Sequence, residues 1–405
     1  MLKKYPGNFL ILFCGQTISN LGNQIYLIAL PWLVYELTQS SSQMGTIAAI
    51  TALPDVLFTL FVGVLIDRYN KKNILWISSI VQFLLVLSIP VLFLLDTFSI
   101  YHIYIIGFCY ATTSMIFITT YRSIIPELVD KEYLVDSNSL IQVSLTLIRM
   151  VGPLVAGVLI TILGEINAFF IDALTFLILI STIYFIKIPK TKIMEIKKTS
   201  VSKEIKDGIK YIIETIELRH ITWLVLVVNI GMSISMSLMV FHLRGGNNFS
   251  ATEVGYVYSI AGVMSFFFTI FAPRVSKKFN LVQAISISCC LSGVGLLVLP
   301  LANTFIFTGL ALGMIIGGAS LGTVFIHTSL QKNVPSDYLG RVYASTQMAT
   351  RISVPVALMM GAWGSETIIG INGMFIISGI IIVASTLFSF FRLNKLDQTK
   401  EEITI

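Results

Sequence analysis

The sequence predicts an all-α membrane protein with twelve transmembrane helices in two six-helix repeats. The first observation is composition, because 55% of the 405 residues are hydrophobic and 12% are charged, whereas soluble domains carry about 25% charged residues. The second is a series of long apolar runs, and the third is a set of motifs that recur along the chain. So apolar a chain excludes both a soluble globular protein and a disordered one.

The apolar runs define the predicted elements in order, since a membrane-spanning helix needs about 20 mostly apolar residues. In the first half they cover 9–35, 44–66, 74–95, 102–121, 139–163 and 168–186. In the second half they cover 220–243, 254–273, 281–301, 305–328, 341–361 and 371–391. The first run is too long for the apolar part of a cleavable signal peptide, so we expect none.

The basic residues predict the orientation of these spans. Of the 27 Lys and Arg residues, all but three lie near the termini or beside the loops that follow even-numbered spans. The exceptions are Arg244 on the opposite face and Arg149 and Arg351 within spans. By the positive-inside rule both termini and the central loop are predicted to be cytoplasmic. The net charge of +6 therefore requires no nucleic-acid partner.

A polar segment divides the chain into two halves. We predict a six-helix bundle over 1–188, a cytoplasmic linker over 189–219, a second bundle over 220–391 and a cytoplasmic tail over 392–405. The linker contains isoleucines at helical spacing, which predicts an amphipathic helix on the inner membrane surface. It either only joins the bundles or also regulates them. These isoleucines are Ile205, Ile209, Ile212, Ile213 and Ile216.

Three motifs recur between the halves at offsets of 202 to 206 residues. Asp67-Arg68-Tyr-Asn-Lys71-Lys72 matches Pro273-Arg274-Val-Ser-Lys277-Lys278. Arg149 with Pro153 matches Arg351 with Pro355, and Tyr133-Leu134 matches Tyr338-Leu339. Nearly equal offsets indicate a duplicated six-helix unit. That architecture is typical of secondary transporters whose substrate site lies near the bilayer midplane.

The motifs carry a resemblance to a known family. The stretch from Gly63 through Asp67-Arg68 to Lys71-Lys72 resembles the loop signature of the major facilitator superfamily. Three further segments resemble its drug-efflux branch, which includes macrolide and peptide-antibiotic exporters. They are Gly15-Gln16-Thr-Ile-Ser-Asn20, Pro335-x-x-Tyr-Leu-Gly340-Arg341-Val and Arg149-x-x-Gly152-Pro153-x-x-Ala-Gly157.

This resemblance implies the major facilitator fold and alternating access in a bacterial cytoplasmic membrane. It implies export of an amphipathic antibiotic-like molecule, with the proton as coupling ion and the lipid bilayer as surroundings. The sequence has no nucleotide-binding loop and no metal-ligand spacing. We therefore expect no enzyme activity, no cofactor and no metal. We also expect the protein to work as a monomer.

Charges at the cytoplasmic helix ends are predicted to form an inner gate. In the family this loop braces the two halves, and the repeat pairs Asp67 with Arg341 and Asp136 with Arg274 across them. Alternatively these are solvated charges worth under about 1 kcal/mol each. The other members of the predicted gate are Gly63, Arg68, Lys71 and Lys72, the lysines serving mainly as orientation signals and headgroup anchors.

Asp55, Arg149 and Arg351 lie about 17 Å into their spans, near the bilayer midplane. An ionisable residue there costs at least about 2.5 to 3.5 kcal/mol, so it usually has a function. The family fold places the second and eleventh spans side by side, which makes Asp55 and Arg351 candidate partners. Either protonation of Asp55 releases Arg351 and couples proton flow to transport, or the pair is permanent and holds helices together. Asp172 is nearer the outer face.

The fifth and eleventh spans contain a helix-kink motif. Its members are Gly152, Pro153, Gly157 and Pro355, because proline removes a backbone hydrogen bond and glycine permits close helix contact. The fourth span departs from the proton-coupled exporters. Where they often carry an arginine, this chain has Tyr110.

Amide and aromatic side chains within spans predict the wall of a substrate cavity. Amides facing lipid would be costly, and Met and aromatic residues suit a pocket that accepts several amphipathic molecules. Histidines near span ends, including His327, are predicted to be polar residues with satisfied hydrogen bonds. The predicted wall consists of Gln16, Asn20, Asn23, Gln24, Tyr26, Tyr110, Asn229 and Met236.

Two other functions fit the same pattern. The fold could take up or exchange a small anionic metabolite at a site built on Arg149 and Arg351. It could also serve a non-transporting membrane sensor or lipid-handling protein, since a fold does not determine function.

Overall fold

The computed structural model describes residues 6–187 and 201–404, so part of the predicted linker, 188–200, lies outside the described residues. Six helices precede this gap and seven follow it. The first six are α1 Gly7–Thr38, α2 Ser41–Arg68, α3 Lys71–Leu94, α4 Ile100–Leu128, α5 Leu134–Leu163 and α6 Glu165–Phe185. The next seven are α7 Val201–Glu214, α8 Ile216–Phe241, α9 Ala251–Lys278, α10 Leu281–Val298, α11 Phe305–Asn333, α12 Ser336–Ser365 and α13 Gly370–Thr404.

The all-α membrane architecture predicted from the sequence is confirmed. Within the described residues, nine helices contain an 18-residue stretch apolar enough to cross a membrane, namely α3 to α6, α8 to α11 and α13. Together with α1, α2 and α12 they give the twelve predicted spans. The helices extend past the predicted spans, and α13 continues through the predicted tail to Thr404.

The described residues form two compact units, grouped by their internal contacts. The first comprises the chain up to 187 together with the segment 243–259, and the second comprises 201–242 and 260–404. The helix α7 therefore groups with the second unit. The segment 243–259, which the sequence assigns to the second bundle, groups with the first.

The same helix neighbours recur in both units. In the first unit α1 packs on α5 and α6, and α3 packs on α4 and α6. In the second unit α8 packs on α12 and α13, and α10 packs on α11 and α13. In the second repeat α8 is the counterpart of α1, and α10 is the counterpart of α3. These are therefore equivalent helix pairs, and the predicted duplication is present in the packing.

Small residues allow α1 and α6 to approach closely. A Cβ placed on Gly15 would lie 2.2 Å from Oγ1 of Thr182, and one on Gly22 would lie 2.2 Å from Oγ1 of Thr175. Asn8 continues this antiparallel contact by exchanging hydrogen bonds with the backbone of Lys187, at 2.9 and 3.2 Å. Small residues at helix contacts are the usual means of close packing between membrane helices.

The amphipathic helix α7 docks on α12. A Cβ on Gly208 would lie 2.4 Å from the backbone oxygen of Arg341, and the rings of Tyr211 and Tyr338 stack with centroids 4.8 Å apart. Ile212 is buried in a cluster that includes Leu330. Of the other predicted stripe residues, the side chain of Ile205 lies outside the described part, and those exposed are Ile209, Ile213 and Ile216.

Candidate functional site

The second unit contains a cavity of about 370 Å³ between α8, α10, α11 and α12. Its apolar wall comes largely from α8, with Leu224, Val228 and Met232, and from Ile326 of α11. Ligand sites combine such apolar walls with a few placed polar groups. The polar groups here are Asn229, Thr323, His327, Tyr343, Thr346, Gln347 and Thr350.

His327 and Tyr343 form the polar centre of this wall. The Tyr343 hydroxyl hydrogen-bonds to the His327 ring, and the two rings stack with centroids 4.9 Å apart and an interplanar angle of 14°. The pair therefore links α11 to α12 and presents two aromatic faces. On the α8 side, Nδ2 of Asn229 donates to the backbone oxygen of Val225 at 2.8 Å.

Of the residues that the sequence predicts to line a substrate cavity, Asn229 lies on the wall of this cavity, and its role in binding stays a prediction. The methionine on this wall is Met232, one turn before Met236. The sequence did not indicate His327, Tyr343 or Gln347 as cavity-lining residues. Their signal is a polar stripe at helical spacing in apolar helices, Ser320, Thr323 and His327 on α11 and Tyr343, Gln347 and Thr350 on α12.

The predicted polar residues of α1 and α4 lie within the helix packing of the first unit. Tyr26 and Tyr110 are 4% and 5% exposed, and their rings stack with centroids 4.1 Å apart. The Tyr110 hydroxyl donates to Oδ1 of Asn23. Gln16 and Asn20 are hydrogen-bonded to each other at 3.0 Å.

Asp172 of α6 lies beside this tyrosine pair, and its side chain is 0% exposed. Its Oδ1 faces Gly22 of α1, where an added Cβ would be 2.5 Å away. Within the described part of the chain, neither Oδ2 of Asp172 nor Oη of Tyr26 has a hydrogen-bond partner. The sequence located Asp172 within a span but gave no sign of this burial.

The helix-kink residues bring other segments close to α5. Pro153 lies inside α5 and Pro355 inside α12. A Cβ on Gly152 would lie 2.4 Å from Cγ of Gln24, and one on Gly157 would lie 2.4 Å from the backbone oxygen of Ala251. The two glycines therefore admit α1 and the start of α9 to the surface of α5.

The three charges predicted at the midplane are not buried in the core of either unit. Asp55 and Arg149 are exposed and Arg351 is half-buried. Asp55 belongs to the first unit and Arg351 to the second. Their pairing stays a prediction.

Two lysines of the predicted gate make contacts inside the first unit. Lys71 forms a 2.6 Å ion pair with Glu127 of α4. The ammonium group of Lys72 donates to the backbone oxygens of Tyr184 and Ile186 at 2.8 and 2.6 Å. They tie α3 to α4 and to the end of α6, which the sequence did not indicate.

Arg341 of the predicted gate pairs within the second unit. Its guanidinium is 3.6 Å from Oδ2 of Asp207 on α7 and lies over the ring of Tyr338. The guanidinium of Arg274 lies over the ring of Phe271, and Gly63 and Arg68 are exposed. The side chain of Asp67 lies outside the described residues, so the Asp67–Arg341 and Asp136–Arg274 pairs stay predictions.

The segment 243–259 is fixed to the first unit by polar contacts. Arg244 donates to Oε1 of Glu36 at 3.0 Å, and its guanidinium lies 4.8 Å from the centroid of the Trp32 ring. The hydroxyls of Thr161 and Thr252 are 2.8 Å apart. Arg244 is the basic residue that the charge pattern places on the opposite face from most others.

Comparison with known proteins identifies the family of this helix arrangement. The family model described as Major Facilitator Superfamily matches residues 12–358 and 221–403. The chain belongs to the major facilitator superfamily. As a member of this superfamily it is a multi-pass membrane transporter, and the resemblance noted in its loop motifs is confirmed.

Two curated relatives and one solved structure illustrate the similarity. Macrolide efflux protein A of Streptococcus pyogenes is 23% identical, over 93% of each chain. Multidrug efflux pump Tap of Mycolicibacterium fortuitum is 25% identical, over 68% of this chain and 70% of its own. A mutant form of the nucleoside transporter NupG superposes with a TM-score of 0.73 at 12% identity, over 95% of this chain and 98% of its own, which supports the fold alone.

Proposed function

We propose that this transporter exports amphipathic, antibiotic-like small molecules from the bacterial cytoplasm by alternating access, in exchange for protons. The observation that carries the proposal is the cavity of the second unit. It joins an apolar wall to the polar edge formed by Asn229, Tyr343 and Gln347. The names of the two curated efflux relatives support the same substrate class.

The cavity suits a large molecule with one apolar and one polar face. An apolar ligand face that contacts the aliphatic side chains of Leu224, Val228 and Ile326 removes apolar surface from water. This favours binding by roughly 25 cal/mol per Å² of apolar surface buried. Amide and hydroxyl groups on the opposite wall both donate and accept hydrogen bonds, so they accommodate ligand hydroxyls, ethers and carbonyls. Stacked His327 and Tyr343 add a flat face for an apolar ring or for a cation.

The charge pattern supports a cytoplasmic location for both termini and the central loop. The cell interior is negative, so export of a cationic drug works against the membrane potential. This costs about 2.3 kcal/mol per charge per 100 mV. Entry of protons releases energy in the same field. Proton antiport is therefore the coupling that we propose.

The test measures accumulation of radiolabelled erythromycin, a macrolide, in a bacterial host lacking its main efflux pumps. We expect expression of the transporter to lower accumulation severalfold and a protonophore to restore it. Replacing Asn229 and Gln347 together by Leu removes two hydrogen-bonding groups, each worth about 1 kcal/mol. We expect this to reduce the efflux rate about thirtyfold, since the two groups together contribute about 2 kcal/mol and about 1.4 kcal/mol is a factor of ten.

The matched control is Ser276→Ala, which removes an exposed hydroxyl at the end of α9, bonded to the Pro273 carbonyl at 3.0 Å. It should leave efflux unchanged. Unchanged accumulation with a panel of antibiotics would contradict drug export. Higher accumulation of the label would indicate uptake instead.

A further inference from the structure

The strongest unexplained feature of the first unit is the buried carboxyl group of Asp172. It lies seven residues after the start of α6, or about 10 Å along the helix axis, and its side chain is 0% exposed. It occupies the space that Gly22 leaves on α1. An ionisable residue inside a membrane helix is costly and usually functional.

The hydrogen bonding around Asp172 does not suit a carboxylate. An ionised carboxyl needs several donors, but Oδ2 has no partner in the described part of the chain. The hydroxyl of Thr175 donates to the backbone oxygen of Asp172 at 2.7 Å and is shared with Oδ1 at 3.5 Å, so the carboxyl group receives only this one long hydrogen bond from it. An uncompensated buried charge costs far more free energy than a neutral acid with one unsatisfied hydrogen-bonding group.

Among the residues that the structure describes, the groups that face Asp172 carry no positive charge. On α1, Tyr26 lies one turn after Gly22, and its ring contacts Phe169, three residues before Asp172. Tyr110 of α4 stacks behind Tyr26. Tyr26 and Tyr110 are the titratable groups of this cluster, and both hydroxyls are neutral near pH 7, because tyrosine ionises only near about pH 10.

The described charged residues on the other helices packed against α6 do not pair with Asp172. On α3, Lys71 and Lys72 bind Glu127 and the far end of α6. On α5, Arg149 is exposed and Asp136 lies in the first turn. Within the described residues, Asp172 therefore forms no ion pair that would stabilise its charged form.

We propose that Asp172 carries a proton in this conformation and is the site at which the first unit binds the coupling proton. This rests on the proposed proton antiport and assigns its proton to a residue other than the predicted Asp55. The proton binds to Oδ2 while the carboxyl group is open to the outer solution, which yields a neutral acid that can then be buried as in this conformation. When the contact between α1 and α6 loosens toward the cytoplasm, the same O–H bond breaks and the proton leaves to water.

Infrared difference spectroscopy tests the protonation without any substrate. Purified transporter at pH 7 should show the C=O stretch of a protonated carboxyl, and Asp172→Asn should lose it. The matched control, Asp55→Asn, should retain it. A band that persists in Asp172→Asn, or that is absent from the unmodified protein, would overturn the proposal. Asp172→Ala, with a smaller side chain that cannot clash, replaces Asp172→Asn if that variant fails to fold.

Proteoliposomes loaded with a pH gradient test the coupling. With Asp172→Asn, we expect gradient-driven accumulation of erythromycin to be lost while exchange of labelled for unlabelled erythromycin continues. Gradient-driven accumulation at the unmodified level would refute the coupling role. If the unmodified protein transports neither erythromycin nor any other compound of the antibiotic panel, the proposed substrate class is wrong, and the infrared experiment then decides the protonation of Asp172 independently.

Discussion

Among single residues, Lys72 illustrates how a charge that is predicted to set topology also makes contacts that stabilise the fold. Its side chain crosses from the start of α3 to the last carbonyls of α6. These carbonyls lack intrahelical partners and carry the negative end of the helix dipole. An ammonium group satisfies two of them at once, so Lys72 caps α6 from a neighbouring helix.

Replacing Lys72 by Met should destabilise the protein, because Met keeps the aliphatic stem and removes the donors. Two charge-assisted hydrogen bonds at a partly exposed position are worth about 1 to 2 kcal/mol. We expect the free energy of unfolding to fall by that amount and the melting temperature in detergent to fall with it. Thermal unfolding followed by circular dichroism measures the change.

The matched control is Lys278→Met, at the position that the repeat aligns with Lys72. Lys278 is exposed, so its loss should change stability by less than about 0.5 kcal/mol. Equal effects of the two substitutions would show that Lys72 acts only as a topology signal.

Candidate site residues could be predicted only in part, for reasons visible at single positions. The amides of α1 stand out because polar groups are rare in an apolar span, and so does Asn229. Asp172 is as conspicuous in the sequence, yet its full burial depends on Gly22 and Tyr26 of α1, whose position against α6 is set by tertiary packing. His327 and Tyr343 belong to different helices, and periodicity within each helix does not reveal that they meet.

At the scale of elements, α9 and α11 interlock through a glycine ridge. Glycines at positions 309, 313 and 317 of α11 face Ile260, Met264 and Phe268 of α9, one turn apart in each helix. A Cβ on Gly317 would lie 2.3 Å from the Phe268 ring. Close backbone approach at such ridges gives membrane helices much of their packing energy.

Gly317→Val should therefore separate the two helices or prevent folding. Overpacking of a tight contact costs typically about 1 to 3 kcal/mol, and a rigid ring next to a β-branched side chain cannot move away easily. We expect a lower yield of monodisperse protein and a melting temperature several degrees lower, measured by size-exclusion chromatography and thermal unfolding.

Gly322→Ala is the control in the same helix. A Cβ there meets its nearest neighbour, Cβ of Ser288, at 3.4 Å, which is an ordinary van der Waals contact. This variant should behave like the unmodified protein. If both variants were equally stable, the glycine ridge would not determine the packing of α9 on α11.

The helix α7 shows where periodicity predicts an element but not its partner. The isoleucine spacing indicates an amphipathic helix, and Val201–Glu214 is helical. The docking surface is formed by Gly208, Tyr211 and Ile212, which pack on α12 and its neighbours. Glycine carries no hydrophobic signal, so the residue that permits the closest approach is invisible to the pattern.

Gly208→Leu should detach α7 from α12, since the new side chain would meet the backbone of Arg341. Hydrogen exchange of the amides from 206 to 214 should then accelerate at least tenfold, which corresponds to about 1.4 kcal/mol of lost docking. Lys210→Ala is the control, because Lys210 is exposed and its 3.8 Å pair with Glu214 lies within α7. Unchanged exchange in Gly208→Leu would show that α7 is held by other contacts.

At the scale of the whole molecule, the sequence predicts the duplication but does not indicate that one segment of the second half groups with the first unit. Nearly equal offsets between motifs indicate a duplicated six-helix unit, so they predict equivalent helix pairs in the two halves. The segment 243–259 follows α8 of the second unit in the chain but contacts the first unit. That grouping depends on contacts between distant residues, among them Glu36 with Arg244 and Thr161 with Thr252, which no local pattern encodes.

The position of this segment leads to a prediction about alternating access. Transport of this kind moves one helical bundle against the other, and the segment 243–259 is covalently continuous with α8 while bound to α1 and α5. If its contacts must break in each cycle, a covalent bond across them will stop transport. Cysteines at 161 and 252 provide that bond, because the hydroxyls they replace are 2.8 Å apart.

Oxidation of the Thr161→Cys and Thr252→Cys double variant should therefore abolish erythromycin efflux, and a reducing agent should restore it. The control pair is Thr17→Cys with Ser144→Cys, whose hydroxyls are 3.3 Å apart inside the first unit. It should cross-link equally well and leave efflux intact, because no movement between α1 and α5 is required. Efflux that persists in the cross-linked 161–252 variant would show that the segment stays on the first unit throughout the cycle. Both pairs are built in a background without the native cysteines Cys14, Cys109, Cys289 and Cys290.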